Sequence, residues 1–286
     1  MESRTDPQDP SPQDPEGGDD LGKVFDRAAP AYDRTGVKFF GPLGEQLVNG
    51  LDLLAGESVL DVGCGRGACT VPAAQAVGPA GTVTGIDASS AMMDGAQREL
   101  DARGLQNVTL LEGDALAPDF PPESFDAVVA GLVVFMLPDP VKALAAYRDR
   151  LRPGGTLGIS LFGRDDPRFF EVTNAVLPFL AGGMPPVPGR SDSPFATPEG
   201  TAKVLRDCGF DAVRVRQEDL DLEFVDPQQW WDWLWQTAGR VVLERIPEDR
   251  LPAAKAAAFE RMGQVRADRG AYLIHWNVWF GYGRRP

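Results

Sequence analysis

Short β-branched runs that alternate with amphipathic helical stretches, with a glycine-rich turn directly after the first run, leave a chain few folds. The run SVLDV at residues 58–62 leads straight into GCGRGA, which places Gly63, Gly65 and Gly67 at alternate positions. Glycine takes up positive φ without a Cβ penalty and lets main-chain atoms approach a ligand that a side chain would hold away. The helix that follows brings free N–H groups to the same place. Strands are predicted over Ser58–Val62, Thr82–Asp87, Val108–Glu112, Phe125–Ala130 and Gly155–Phe162, with helices over Cys69–Val77, Ser90–Arg103 and Val141–Leu151 between them. Gly78 and Gly104 stop the first two helices, a serine caps the second, and Asp139–Pro140 opens the third. Helices that cross over between successive strands bury both faces of a parallel sheet, so the expected fold is α/β and doubly wound. Ligands of such sheets lie beyond the carboxyl ends of the strands, where the glycine turn falls.

The rhythm changes after residue 163. Residues 164–196 are rich in proline and glycine, 197–209 read as a helix, and DAVRVRQEDLDLEF reads as a strand. After a second Asp-Pro start at Asp226–Pro227, residues 228–246 and 252–266 look helical, and residues 271–282 end the chain as a strand. The segments at about 164–196 and 226–268 are expected to be cap insertions in a single domain over 21–286, with residues 181–194 ordering when ligand binds.

Composition narrows the partners. The chain has 286 residues, 43% of them hydrophobic, and a net charge of −14. That charge, with no block of Lys and Arg, disfavours nucleic acid and anionic membrane. Residues 1–20 hold seven acids against Arg4 and almost nothing apolar, so a disordered acidic tail is expected. The longest apolar run, Ala127–Leu137, is too short to span a bilayer, and the start lacks the features of a signal peptide. Cys64, Cys69 and Cys208 show no metal-like spacing and suit a reducing compartment. The expectation is a cytoplasmic monomer or homodimer with a small-molecule substrate and no metal.

The glycine turn alone admits two ligands. Gly63, Gly65 and Ala68 with Asp87 downstream fit the dinucleotide pattern G-x-G-x-x-G/A, which suits a nicotinamide or flavin. Asp61, two residues before Gly63, is a poor neighbour for a pyrophosphate and a good one for an ammonium group. Asp87 can accept from ribose hydroxyls, and Asp114 in EGDALAP from an exocyclic amine, with the Ala115 N–H beside it. Together these acids suit a cationic nucleoside that bears an amino acid.

VLDVGCGRGACT, GIDAS, EGDALAP, FDAVVAG and LRPGGTLGIS resemble, in order and spacing, the motifs of class I S-adenosylmethionine-dependent methyltransferases. The likeness is close over residues 21–163 and looser over 197–283. FDRAAPAYDR is similar to the amino-terminal helix of small-molecule members, whose Tyr-Asp closes over the methionine end of the cofactor. The resemblance implies a Rossmann-like seven-stranded sheet with an antiparallel last strand and S-adenosyl-L-methionine as cofactor. It implies that Asp61 and Gly63 hold the methionyl end, that Gly65 and Gly67 allow close approach, and that Asp87 takes the ribose. Ala88 and Met92 would pack near the adenine, Asp114 and Ala115 would bind its edge, Gly131 and Leu132 would flank the sulfonium, and Tyr32 would lie on the cofactor side. Many relatives carry His or polar residues where this chain has Leu132–Val134.

Methyl transfer from a sulfonium is an in-line displacement in which the protein chiefly aligns the reactants. A base is needed when the acceptor starts protonated, as a phenol does, and is not needed for a carboxylate. Tyr32, Glu171, Arg240 and His275 are the candidates for acid–base or charge work. His275 lies mid-strand with Leu273, Asn277 and Trp279 on its face, where packing within a covered sheet competes with catalysis. Trp231, Trp235, Ala238 and Val242 recur at helical spacing, as a core-facing stripe or as a pocket wall. Arg240 suits an anionic substrate or a neighbouring acid, and Phe169, Phe170, Phe179, Leu180 and Met184 suggest an apolar lid. The functional expectation is a methyltransferase for a large apolar molecule, by resemblance a polyketide-like natural product methylated on oxygen. The alternatives are a cofactor-assisted cyclase and a carbon methyltransferase for a terpenoid.

Overall fold

A computed structural model of the chain describes residues 21–163, 166–182, 193–265 and 271–286. The acidic tail, Met184 and most of the 181–194 stretch lie outside the described residues, as do short parts of both cap insertions. The described elements begin with α1 (Leu21–Ala28) and α2 (Phe40–Asn49). The alternating core follows: β1 (Ser58–Val62), α3 (Thr70–Val77), β2 (Thr82–Asp87), α4 (Ser90–Arg103), β3 (Val108–Glu112), β4 (Phe125–Gly131), α5 (Pro140–Arg150) and β5 (Leu151–Phe162). The remainder is α6 (Pro167–Asn174), α7 (Pro198–Asp207), β6 (Asp211–Phe224), α8 (Pro227–Trp235), α9 (Arg240–Leu243), α10 (Leu251–Met262) and β7 (Tyr272–Arg284).

The seven strands form one sheet in the order β3-β2-β1-β4-β5-β7-β6. β1 to β5 run parallel, and β7 lies antiparallel between β5 and β6. Strand order reverses direction between β1 and β4, and the glycine turn starts at that switch point. Alternate residues of β1 serve opposite cores. Val59 joins α2, α3 and the cap, whereas Leu60 and Val62 join α5 and α7. Among the described residues no helix is long and apolar enough to cross a membrane.

The start of β5, the helix over 228–246 and the place of His275 differ from expectation. The predicted helix over 228–246 is two helices, because Gly239 follows a turn in which the Thr237 hydroxyl bonds both Leu234 O and Gly239 N–H. The break exposes Ala238 and puts Trp230, Trp231 and Trp233 at the buried face, while Trp235 is only half-buried. His275 does not pack inside the sheet. It points outward opposite Asp221, whose carboxylate its Nδ1 contacts, on the part of β7 that pairs with β6 alone.

Phe39, 2% exposed, joins the cap to the sheet: its ring packs on Phe40, Phe162, Trp233 and Trp276. Phe39→Ala should lower unfolding stability by about 3–5 kcal/mol, the usual cost of an emptied aromatic site. Denaturant titration checks it, and a loss under about 1 kcal/mol would show that the cap docks by other means.

Candidate active site

The carboxyl ends of β1, β2 and β4 converge on the glycine turn. Gly63, Gly65 and Gly67 all have positive φ, at 66°, 51° and 91°. Their surroundings differ. A Cβ on Gly63 would lie 2.4 Å from Val133 Cγ2, and one on Gly67 would make ordinary contacts with Val71 and Ala96. A Cβ on Gly65 would meet nothing within 4 Å, so Gly65 faces open space.

Asp61 is 1% exposed and accepts a 2.5 Å bond from Thr70 Oγ1 at the start of α3. Burial pushes its carboxyl up to about 7, against the Thr70 bond and with the help of the Asp87 charge. A carboxylate offers roughly four acceptor positions, so an ammonium group would find capacity here and relieve the burial penalty.

Asp87 ends β2. Its Oδ2 accepts from Gly65 N–H at 2.8 Å and its Oδ1 from Ser89 N–H at 2.9 Å, with the Ala88 N–H also against it, which fixes the carboxylate beside the turn with acceptor capacity to spare. Burial raises this carboxyl as well. Ser89 caps α4 through the Met92 N–H, and its hydroxyl donates to Asp26 of α1 at 2.6 Å. Ala88 is exposed and Met92 is buried in the first turn of α4. Beyond β3, Asp114 is exposed and accepts from Leu116 N–H, while Ala115 O accepts the Tyr147 hydroxyl at 2.7 Å.

Gly131 ends β4, with Cys69 Sγ 2.7 Å from where its Cβ would be. Leu132 then takes φ +57°, and its N–H donates to Ser160 Oγ at 2.9 Å and Ser160 O at 3.2 Å. Leucine in the left-handed region is strained, by about 1–2 kcal/mol, and such strain is concentrated at functional sites.

Tyr32 closes the turn from the amino-terminal side. Its ring stacks on Phe40 at 4.6 Å and meets Phe25 edge-on at 6.2 Å. Burial, then the charges of Asp33 and Asp87, push its hydroxyl far above the ordinary phenol range, so it is a neutral donor at physiological pH. Asp33, held up to about 6 by burial against the pull of Arg66, lies next to it. Arg66 in turn donates to Ala29 O at 2.8 Å.

Glu171, Arg240 and His275 stay apart from this group. Glu171 is exposed on α6. Arg240 is committed to Glu244 at 2.7 Å, with its guanidinium over Trp235, and Arg27 of α1 takes the same carboxylate. His275 is paired with Asp221 on the outer face. Sequence reading took Ser89 only as a helix cap and passed over Thr70, Asp26 and Ser160, whose hydroxyls and carboxylate order the site. Of these three, Thr70 carried a signal, as a hydroxyl at a helix start nine residues after a buried acid.

Residues 59–155 match the family model described as "Methyltransferase domain". The chain is 38% identical to nocamycin O-methyltransferase of Saccharothrix syringae, over 92% of this chain and 98% of that protein. It is 40% identical to aklanonic acid methyltransferase DauC of a Streptomyces species, over 68% and 92%. The chain belongs to the class I S-adenosylmethionine-dependent methyltransferases. S-adenosylmethionine is the cofactor, which resolves the two ligands that the glycine turn admits. The fold is shared with the solved [4+2]-cyclase SpnF at a TM-score of 0.58 and 20% identity, covering 93% of this chain and 96% of that one.

Proposed function

We propose that this methyltransferase transfers a methyl group to an oxygen of a large, mostly apolar polyketide-like small molecule, with a carboxylate as the favoured acceptor. The observation that carries this reading is that, among the described residues, neither Tyr32, nor the loop after β4, nor His275 offers a proton acceptor beside the turn, and the carboxylates there, Asp61, Asp87 and Asp33, are far weaker bases than a phenolate. Tyr32 is held neutral by burial, Leu132–Val134 are apolar, and His275 faces away. A carboxylate is ionised at neutral pH and needs no base. Two relatives support the substrate class, one named as an O-methyltransferase for nocamycin and one as a methyltransferase for aklanonic acid.

When bound, the cofactor supplies an electrophilic methyl carbon whose C–S bond breaks as the new O–C bond forms. The chain's own residues align that event. Asp61 takes the ammonium group, Gly65 admits the cofactor against the backbone, and Asp87 accepts from the ribose hydroxyls. Asp114 and Ala115 read the adenine edge, with Ala88 and Met92 beside it. Gly131 and Leu132 border the reacting centre, and the Tyr32 hydroxyl donates from the amino-terminal side. The segments over 164–196 and 226–268 cap the substrate.

An acceptor that is already ionised gives a kcat/KM that is level between pH 7 and 9, whereas a phenol without a base gives a tenfold rise per pH unit toward its own pKa. Rate profiles for matched aromatic acids and phenols test the acceptor, and turnover confined to the phenols would refute the carboxylate assignment.

Asp61 adds a pH dependence to cofactor binding. Its folded pKa, about 7, lies above the unfolded value, so below pH 7 the free protein holds a proton that an ammonium ligand must displace. Affinity for S-adenosylhomocysteine should rise about tenfold from pH 5.5 to 7, and Asp61→Asn should flatten the rise. The same sign makes the ligand-free protein lose stability as pH rises from about 4 through 7. Equal slopes for the two proteins in calorimetric titrations would remove Asp61 from the ammonium site.

A further inference from the structure

Three buried indole donors, two on α8 and one on β7, find no acceptor among the described protein atoms: Nε1 of Trp230, Trp233 and Trp276. They belong to one ring cluster. Trp233 and Trp276 lie 5.6 Å apart and share Phe39, and Phe169 joins Trp276 to Trp230 at 5.9 Å on each side. Buried donors left unpaired are rare and costly, and phenylalanine would fill the same space without them.

The cluster begins at the reacting centre. β5 ends at Phe162, which pairs with Val278, so residues 272–277 of β7 project with β6 past the carboxyl end of the parallel strands. Trp276 sits on that projection and packs on Phe162 at 5.1 Å. Phe162 follows Ser160, the partner of Gly131 in register and of Leu132 by hydrogen bond. On the other side Phe39, Phe40 and Tyr32 stack in succession toward Asp87. The three Nε1 atoms are closed to solvent in the ligand-free protein, so a ligand reaches them only by parting this cluster, and it would then have one end at the methyl group.

Indole N–H groups bond neutral oxygens, and the rings around them offer aromatic faces and edges. The buried polar and charged residues among those described include no lysine or arginine, which a phosphate or sulfate would call for. We infer that Trp230, Trp233 and Trp276 are specificity-determining residues whose indole N–H groups bond the ketone or quinone oxygens of a fused-ring aromatic substrate. This rests on the substrate reading proposed above and assigns its recognition to particular donors. Trp279 has an unpaired buried indole as well but lies on the opposite face of β7 in the other core, which makes it a control.

The test uses the full chain saturated with S-adenosylhomocysteine and anthraquinone-2-carboxylate as the probe. Indole ¹H–¹⁵N spectra, assigned with single Trp→Phe variants, should show the signals of Trp230, Trp233 and Trp276 moving downfield when the probe binds, with that of Trp279 unmoved. Trp230→Phe, Trp233→Phe and Trp276→Phe should each weaken the probe by about tenfold with S-adenosylhomocysteine affinity retained, and Trp279→Phe, which empties a comparable buried volume and lowers the thermal midpoint in the same way, should leave both affinities unchanged. A probe that binds without moving these signals, or that fails to bind a protein that does hold S-adenosylhomocysteine, overturns the inference and leaves the methyltransferase standing. Failure to hold S-adenosylhomocysteine would overturn the cofactor-site assignment first and this inference with it.

Discussion

Gly65→Asn is expected to weaken S-adenosylmethionine binding by about 100-fold or more in a protein that still folds. Asparagine tolerates positive φ better than other side chains, and a Cβ at this position meets nothing within 4 Å, so the folded chain accepts it. The residual backbone cost, at most about 1–2 kcal/mol, is small against a typical stability of about 5–15 kcal/mol. The new side chain would stand in the open space before Asp87, where the cofactor backbone is assigned. Gly63→Asn is the contrasting case, since its Cβ would strike Val133 and the variant should fail in folding first. Calorimetric titration with S-adenosylhomocysteine and a thermal melt separate the two effects. Wild-type affinity in folded Gly65→Asn would mean that the cofactor does not pass this loop.

Asp87→Ala should cost as much by a different route. The substitution removes the acceptor of the Gly65 and Ser89 N–H groups, so the turn loses its anchor and the ribose would lose the partner proposed for it. Hydrogen bonds to a charged group contribute about 1.5–3 kcal/mol each, so loss of the two to the ribose alone predicts about 3 kcal/mol or more, at least ~100-fold in affinity. Asp87→Asn keeps one carbonyl oxygen and should fall between. An affinity within threefold of wild type in Asp87→Ala would dismiss the ribose assignment.

The sequence made the framework legible where one residue type has one use. β1, β2, β3 and α4 have the predicted bounds, because β-branched runs end at glycine or at a capping serine. β5 begins four residues early, at Leu151, since that residue bridges to Phe125 across a register shift that no local pattern announces. The break in 228–246 rests on Thr237 bonding the backbone on both sides of Gly239, a competition that helical spacing of the tryptophans conceals. His275 was misplaced for a topological reason. Alternation gives the two faces of a strand but does not tell which is covered, and His275 is on an exposed part of the β6–β7 projection.

The grouping of the proposed site residues was legible to the same depth. Asp61, Gly65 and Asp87 come together because all three sit at strand ends on one edge of a parallel sheet, which motif spacing encodes. The supporting groups, Ser160 on Leu132 N–H and Asp26 on Ser89, are separated from their partners by 28 and 63 residues, and only folding reveals them. Arg240 illustrates the converse. It read as a candidate for an anionic substrate, yet Glu244 stands four residues on and Arg27 shares that carboxylate from α1, which pulls the Glu244 carboxyl below its usual range. Two arginines on one partly exposed acid fasten the amino-terminal helix to the cap.

The most direct measurement is to incubate the protein with trideuteromethyl-labelled S-adenosylmethionine and a set of aromatic polyketide acids, then follow both products by mass spectrometry. The account predicts a trideuteromethyl ester and S-adenosylhomocysteine formed in equal amounts. Substrate consumed with the label still on the cofactor would contradict it and make the bound sulfonium a fixed charge in a rearrangement.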